Sequence, residues 1–304
     1  MDGPVVALDA MGGDHAPDAV VAGALRAHAE HGIAVVLVGR PDEVGDALRR
    51  QGSPGGLTVV AAEDVVAMDE EPALALRAKP RASVHVAADL VAAGEAAAVL
   101  SAGSTGATLA AGLFALGRLP GVRRPAVAAL LPFGETGTVL VDAGASADVT
   151  AELLVGHARM GVAYAQVLGV AAPRVGLLNI GAEAGKGNAL AREAHELLAA
   201  ALGPAFGGNV EPDAVVAGAV DVVVADGFTG NVFLKTVEAL GGDDEHGGAA
   251  VLLGVTGNVL VAHGAAGEAE IAAALRTAAR VAGQDLAGRV ADAMSGAVDE
   301  GGGT

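Results

Sequence analysis

Two short glycine-rich stretches carry the residues best suited to holding an anion. Lys186 sits in Gly185-Lys186-Gly187-Asn188, and Lys235 closes Gly230-Asn231-Val232-Phe233-Leu234-Lys235. Only three lysines occur among 18 basic residues, so two of them falling in such turns is informative. All five asparagines (Asn179, Asn188, Asn209, Asn231 and Asn258) lie within two residues of a glycine. Such turns leave backbone N–H groups free, and a helix starting there adds partial positive charge, which together suit a phosphate. Lys186 follows the apolar run Arg174–Ile180 and precedes a helical stretch, the order of a phosphate cradle. It is not a nucleoside-triphosphate loop. Three residues rather than four separate Gly181 from Gly185, and Gly187 stands where a magnesium-binding hydroxyl would be needed. No GxGxxG follows the first apolar run either, which leaves a dinucleotide without its usual turn.

These residues need a scaffold, and the apolar pattern supplies one. Short apolar runs occur at Val5–Leu8, Ile33–Val38, Leu57–Val60, Ala97–Leu100, Ala126–Leu131, Thr138–Val141, Arg174–Ile180 and Val220–Ala225. Helical stretches lie between or after them at Asp18–His31, Asp42–Arg50, Ala82–Ala93, Thr105–Leu116, Ala151–Val167, Ala189–Leu202 and Gly230–Leu240. Two more, Glu268–Ala282 and Leu286–Met294, close the chain. Continuous apolar strands alternating with helices predict a mostly parallel sheet covered on both faces. Five runs end in a short polar residue and a glycine just before a helix. They are Asp9 with Gly12-Gly13, Ser101 with Gly103, Asp142 with Gly144, Asn179 with Gly181, and Asp226-Gly227. Any one of these could simply cap the next helix. Five together predict a crevice at the carboxyl ends of the strands.

The composition sets the outer limits. The 304 residues are 52% hydrophobic, which is enough for a large core and excludes a disordered chain. With five Phe, one Tyr and no Trp, the core must be built from Ala, Val and Leu. The same aromatic poverty and a net charge of −18 argue against nucleic acid, since stacking platforms are missing and the field repels phosphate backbones. The absence of cysteine removes disulfides, thiolate metal sites and a Cys nucleophile. No close His/Asp/Glu spacing suggests a metal cage, so neither metal nor cofactor is expected. Ala96–Gly117 carries no charge over the length of a membrane span, but the polar turn Ser101–Gly106 divides it, predicting a strand, a loop and a helix. No targeting segment is visible, and the expected location is cytoplasmic. One α/β catalytic domain is expected over residues 1–298, compatible with two lobes, with a disordered tail at 299–304.

The opening Val6-Ala7-Leu8-Asp9-Ala10-Met11-Gly12-Gly13-Asp14-His15-Ala16-Pro17 closely resembles the signature of the bacterial phosphate acyltransferases of phospholipid synthesis. The resemblance continues through Met68-Asp69-Glu70-Glu71-Pro72, Ser101–Ala107, Arg124-Pro125-Ala126, Arg174–Gly181, Gly185–Asn188, Asp226–Asn231 and Ala262-His263-Gly264. It spans nearly the whole chain in order. It implies a Rossmann-like three-layer α/β/α sandwich, related to phosphotransacetylases and isocitrate-type dehydrogenases. It also implies transfer of a fatty acyl group from acyl carrier protein, or another acyl thioester, to inorganic phosphate. Phosphate is already a charged nucleophile, so such a site must hold an anion, aim it at a thioester carbonyl and help a thiolate leave. Lys186 and Lys235 are the candidates for charge neutralisation. Asn179, Asn188, Asn231, Ser104 and Thr105 are candidate donors, framed by Gly12, Gly13, Gly106 and Gly185. Asp9, Asp142 and Asp226 are expected to orient those donors, because a carboxylate repels phosphate. His15 and His263 lie in family-like motifs and could protonate the thiolate, though a histidine near a helix start is also a common structural hydrogen-bonding residue. The basic clusters Arg77/Lys79/Arg81 and Arg118/Arg123/Arg124 could meet an acidic carrier or its phosphopantetheine arm.

The sequence also departs from the family. Ser104, Ser146 and Thr256 replace usual asparagines, which reshapes donors without abolishing them. The family usually inserts two long amphipathic helices, linked with dimerisation and membrane attachment, after the Lys235 helix. Here only Ala239–His246, acidic and glycine-rich, bridges the gap. Weak or no membrane association follows, and any homodimer would have a smaller interface. Two alternatives stay open on the residues. A metal- and nicotinamide-dependent dehydrogenase of related fold would need clustered metal-binding carboxylates and a group of substrate arginines. A non-catalytic paralogue would bind an acyl carrier or a phosphate metabolite.

Overall fold

The computed structural model describes residues 3–53, 55–241 and 249–295. In chain order it begins β1 (Val5–Asp9), α1 (Asp18–His31), β2 (Ala34–Gly39), α2 (Pro41–Arg50), β3 (Thr58–Ala61), α3 (Pro72–Ala78), α4 (Ser83–Ala92), β4 (Ala98–Ser101) and α5 (Thr105–Leu116). It continues with β5 (Ala126–Leu131), β6 (Thr138–Val141), α6 (Ala151–Val167), β7 (Val175–Leu178), α7 (Ala189–Leu202), β8 (Phe206–Val210), α8 (Pro212–Val216), β9 (Val222–Val224) and α9 (Gly227–Ala239). The last elements are β10 (Ala250–Leu253), β11 (Asn258–Val261), α10 (Glu268–Gly283) and α11 (Leu286–Ser295).

The chain forms two compact units. The first takes the described residues of Met1–Gly117, Gly248–Val251 and Val255–Asp285; the second takes those of Arg118–Gly247, Leu252–Gly254 and Leu286–Thr304. Within the first, strands run β3-β2-β1-β4-β11, all parallel. Successive residues Val6 to Asp9 and Ala98 to Ser101 are all buried. Because neighbouring strand residues point to opposite faces, both faces of the sheet are covered. Helices α1 and α10 pack together, as do α4 and α5, and both α4 and α10 lie against β1 and β4.

Within the second unit the order is β5-β6-β9-β7-β8, parallel except for β5 against β6. Helix α6 packs on β6 and β9, with Gly161 allowing close approach: a Cβ there would come 2.9 Å from Val141 and 2.8 Å from Val222. Both units are thus built on mostly parallel sheets with helical cover, as the alternation of apolar runs predicts.

The structure amends several element boundaries. Arg174–Ile180 and Val220–Ala225 shorten to β7 and β9, since their ends turn away to supply strand-end residues. Helix α9 starts at Gly227 rather than Gly230, capped by Asp226. The antiparallel β5–β6 pair follows from a connection of only six residues, too short for the crossover that parallel strands need. Sequence periodicity missed the short helices α3 and α8, each opened by a Glu-Pro pair, and the glycine-rich β8. It also missed β10 and β11, which flank the Gly254–Gly257 turn, where both glycines have positive φ. Ala96–Gly117 forms β4, a turn and α5, and no helix among the described residues is long and apolar enough to cross a membrane. Most of the acidic bridge expected at Ala239–His246, and the tail expected at 299–304, lie outside the described residues.

Candidate active site

In the first unit the register aligns the carboxyl ends of three strands. Asp9 pairs with Ser101, and Ser101 with Val261, so the loops after β1, β4 and β11 leave from one edge. Asp9 and Ser101 are buried and joined, the Ser101 hydroxyl donating to Asp9 Oδ2 at 2.7 Å. Ser101 Oγ also accepts from Gly103 N–H at 3.0 Å, and Asp9 Oδ1 accepts from Met11 N–H at 3.1 Å. Gly12 is pressed onto this pair. A Cβ there would lie 2.6 Å from Asp9 Oδ2 and 2.7 Å from both Ser101 Oγ and Gly103 N, so only glycine fits without displacement. Gly13, at φ +110°, turns the chain so that Asp14 N–H donates to the Gly264 carbonyl at 2.8 Å. His15 and His263 each flank that bond, and neither is buried. His263 Nδ1 accepts from Ala265 N–H at 3.3 Å, leaving Nε2 outside that contact. Ser104 caps α5, its hydroxyl accepting from Ala107 N–H at 3.4 Å, with Thr105 exposed beside it. Gly106 lies against the Pro72 ring at the start of α3.

Burial raises the Asp9 pKa above 3.8, opposed by the hydrogen bonds from Ser101, Ser83 and the Met11 and Gly12 amides. A group that holds its proton more tightly when folded stabilises the fold below its unfolded pKa and loses that contribution as pH rises through the raised value. Asp9→Asn does not titrate. The melting temperature of Asp9→Asn is therefore expected to rise relative to the parent as pH is taken from about 4 to neutrality. Thermal melts across that range check it; a difference independent of pH would show that Asp9 is charged throughout.

In the second unit β6, β9 and β7 are parallel neighbours, with Val224 in register with both Val141 and Leu177. Asp142, Asp226 and Asn179 follow within two residues of that level, so all three leave from the same edge. Asp142 is fully buried. Its Oδ1 accepts from the amides of Val127 (3.1 Å), Gly144 (3.0 Å) and Ala145 (2.8 Å), and its Oδ2 from Ser146 (2.8 Å). The turn so formed carries α9. Gly227 N–H donates to the Ser146 carbonyl at 2.9 Å, and a Cβ at Gly230 would collide with the Asp142 carbonyl oxygen. Asp226 caps α9 by accepting from the Thr229 amide at 2.8 Å and hydroxyl at 2.7 Å. Asn231, one turn along, lies against Gly144. Asn231, Val232, Lys235, Thr236, Ala239 and Leu240 line an open hollow of about 430 Å³.

Asn179 organises the lysine loop. Its Nδ2 donates to the Lys186 carbonyl at 3.2 Å and its Oδ1 accepts from Ile180 N–H at 2.8 Å. Gly187 has φ +91° and packs on Asn179, where any side chain would clash. The Lys186 stem lies along Gly181, and Gly185 beside it has open space around it. Asn188 caps α7 by accepting from Ala191 N–H at 2.8 Å, which leaves the helix start facing the lysine loop.

The two candidate lysines differ in state. Lys235 pairs with Glu238 at 2.7 Å on the same helix face. Lys186 is exposed and forms no ion pair among the described residues. Chain spacing did not mark Asp142 as a hub of four amide donors: three come from the turn just after it, and the fourth, Val127, is brought in by the β5–β6 pairing. It also passed over His157, buried on α6 with neither ring nitrogen hydrogen-bonded among the described residues. Burial holds His157 below its ordinary pKa, partly offset by the Asp142 carboxylate. Among the described residues no three His, Asp or Glu side chains gather as a metal site.

A family model described as fatty acid synthesis protein matches residues 5–243. A phosphate acyltransferase of Thermobifida fusca is 45% identical over 86% of this chain and 83% of its own length. One from Thermus thermophilus is 44% identical over 95% and 98%. Among solved structures, a phosphotransacetylase from Streptococcus pyogenes superposes with a TM-score of 0.71 at 21% identity, covering 92% of this chain and 94% of that one. A 4-hydroxythreonine-4-phosphate dehydrogenase from Klebsiella pneumoniae reaches 0.57 at 17% identity, covering 92% and 98%. At those identities the likeness is of fold alone: the mostly parallel α/β class expected from the strand pattern, with the Rossmann-like sandwich that the resemblance implies. The sequence matches carry more: across most of its length the chain belongs to the phosphate acyltransferase family, a family of acyl-transferring enzymes.

Proposed function

We propose that the protein transfers an acyl group from the thioester of acyl carrier protein to inorganic phosphate, in the cytoplasm and with weak or no membrane association. A phosphate oxygen attacks the thioester carbonyl, a tetrahedral oxyanion forms, and its collapse breaks the C–S bond. The products are acyl phosphate and a thiolate that takes up a proton. The observation that carries the phosphate assignment is Lys186, a cation without a carboxylate partner among the described residues, on a loop that opens a helix. Charge and helix N-terminus both favour an anion there. Asn188 and Asn231 supply further donors at the edges where α7 and α9 begin. The proton for the thiolate is assigned to His15 or His263, whose imidazoles are not buried and lie in the family-like motifs. A homodimer, if it forms, does so without the long helical hairpin of the family.

Incubation with acyl carrier protein thioester and phosphate, followed by hydroxamate trapping, is expected to yield acyl hydroxamate only when phosphate is present. The yield should persist after exhaustive chelation. No acyl phosphate from either a protein-borne or a small thioester would overturn the assignment.

A further inference from the structure

The two basic clusters of the sequence have different fates in the fold. In the first, Lys79 is bound to Glu70 at 2.5 Å and Arg81 to Glu63 at 3.2 Å, so its charge is largely answered within the chain. In the second, Arg118, Arg123 and Arg124 are exposed, and none forms an ion pair among the described residues. They are also the only charged side chains between Glu95 and Glu135, in a chain of net charge −18. The loop that carries them is held rigidly. Leu119 and Val122 are buried beneath it, Leu119 N–H donates to the Gly254 carbonyl at 3.0 Å, and Val122 N–H donates to the Leu119 carbonyl at 3.1 Å. Arg118 Nη1 donates to the Arg123 carbonyl at 2.6 Å, tying the two ends together.

The position of the loop matters as much as its charge. Strand β5 runs antiparallel to β6, with Ala128 opposite Val141, so the start of β5 lies at the carboxyl end of β6. Val127 N–H donates to Asp142 Oδ1, and Arg124 is three residues earlier. The arginine loop therefore opens at the same strand edge as Asp142, Asp226 and Asn179. A protein that delivers a tethered thioester has to rest within a tether's length of the reacting edge.

We propose that the loop Arg118–Arg124 is the docking surface for an acidic protein that carries the acyl thioester. This rests on the acyl-transfer assignment above. A compact acidic partner meets three exposed guanidinium groups on a rigidly held loop, with Glu152 close enough for Arg123 to help lower its carboxyl pKa. A flat anionic bilayer is disfavoured by the chain's net charge of −18. Arginine is suited to the contact because its planar fork grips carboxylates in pairs. Charge complementarity of this kind acts chiefly on encounter and is screened by salt.

The test uses the double variant Arg118→Gln/Arg123→Glu. The glutamine side chain introduced at position 118 keeps an N–H donor for the loop tie, and Arg124, nearest the strand edge, is untouched. The expected KM for a purified acidic acyl carrier protein thioester rises about tenfold or more, while kcat/KM for acyl-pantetheine and the KM for phosphate stay within about twofold. Added salt should raise the KM of the parent for the protein donor and leave that of the variant nearly flat. Arg280→Glu, a reversal at an exposed residue of α10, should change neither donor. Fluorescence anisotropy with labelled carrier protein reads the same contact without turnover, so the docking surface is judged even if no acyl phosphate forms. An unchanged carrier affinity overturns the proposal. Equal losses with acyl-pantetheine would overturn it too, by moving the arginines into the reaction site. Parental binding to anionic phosphatidylglycerol vesicles that the variant loses, with carrier affinity unchanged, would assign the loop to lipid instead.

Discussion

Asp142→Ala is expected to cost about 3–6 kcal/mol of stability, enough to unfold the second unit under mild conditions. The carboxylate is fully buried and satisfies four backbone amides at once. Two of those donors, Val127 and Ser146, are themselves buried and would be left without a partner. A buried unsatisfied donor costs about 1–3 kcal/mol, and two would be left behind. The damage would not stay local, because the same turn holds the start of α9 through the Gly227–Ser146 hydrogen bond. Asp142→Asn should fall between. Its single oxygen can keep the Val127, Gly144 and Ala145 contacts, but its amide group would face the Ser146 donor. Urea denaturation followed by circular dichroism checks the order parent, Asn, Ala. An Asp142→Ala midpoint within error of the parent would show that these amides find other partners.

Lys186→Ala should leave the fold intact and strike at phosphate. The side chain is exposed and forms no ion pair among the described residues, so its removal leaves no buried group unpaired. The loop is held by its backbone and by Asn179, both of which remain. What disappears is a charge-assisted hydrogen bond worth about 1.5–3 kcal/mol, which converts to roughly a ten- to hundredfold loss in kcat/KM for phosphate. The KM for thioester should change little. Steady-state kinetics with each substrate varied in turn separates the two. An unchanged phosphate dependence would remove Lys186 from the site and leave Lys235, already neutralised by Glu238, as a weaker claimant.

Much of this was legible in residue order. Apolar runs ending in Asp9, Ser101, Asp142, Asn179 and Asp226 announced a mostly parallel sheet with polar strand ends. Helices α1, α5, α6 and α7 begin and end where their periodicity puts them. Those features are legible because they are local: strand burial, caps and glycine turns depend on neighbours within a few residues. The motif series was legible for a different reason, since each motif is contiguous and their order survives without any structure. The elements that escaped, α3, α8, β8, β10 and β11, are short or glycine-rich, and for them tertiary contact rather than local pattern decides the conformation.

By itself, then, the sequence determined the α/β class, the polar strand ends, the two lysine turns and the family. Only the tertiary structure decided which charges are already spent. Lys235 and two members of the first basic cluster are paired with carboxylates of their own unit, whereas Lys186 and the Arg118–Arg124 loop form no ion pair among the described residues. It also decided that Asp142 serves four amides and that the antiparallel β5 brings the arginine loop to the Asp142 edge. The physical reason is range. Backbone preference and capping act over a few residues of chain, while ion pairing and buried hydrogen bonding act over a few ångströms of space, between residues whose separation in sequence says nothing about their distance.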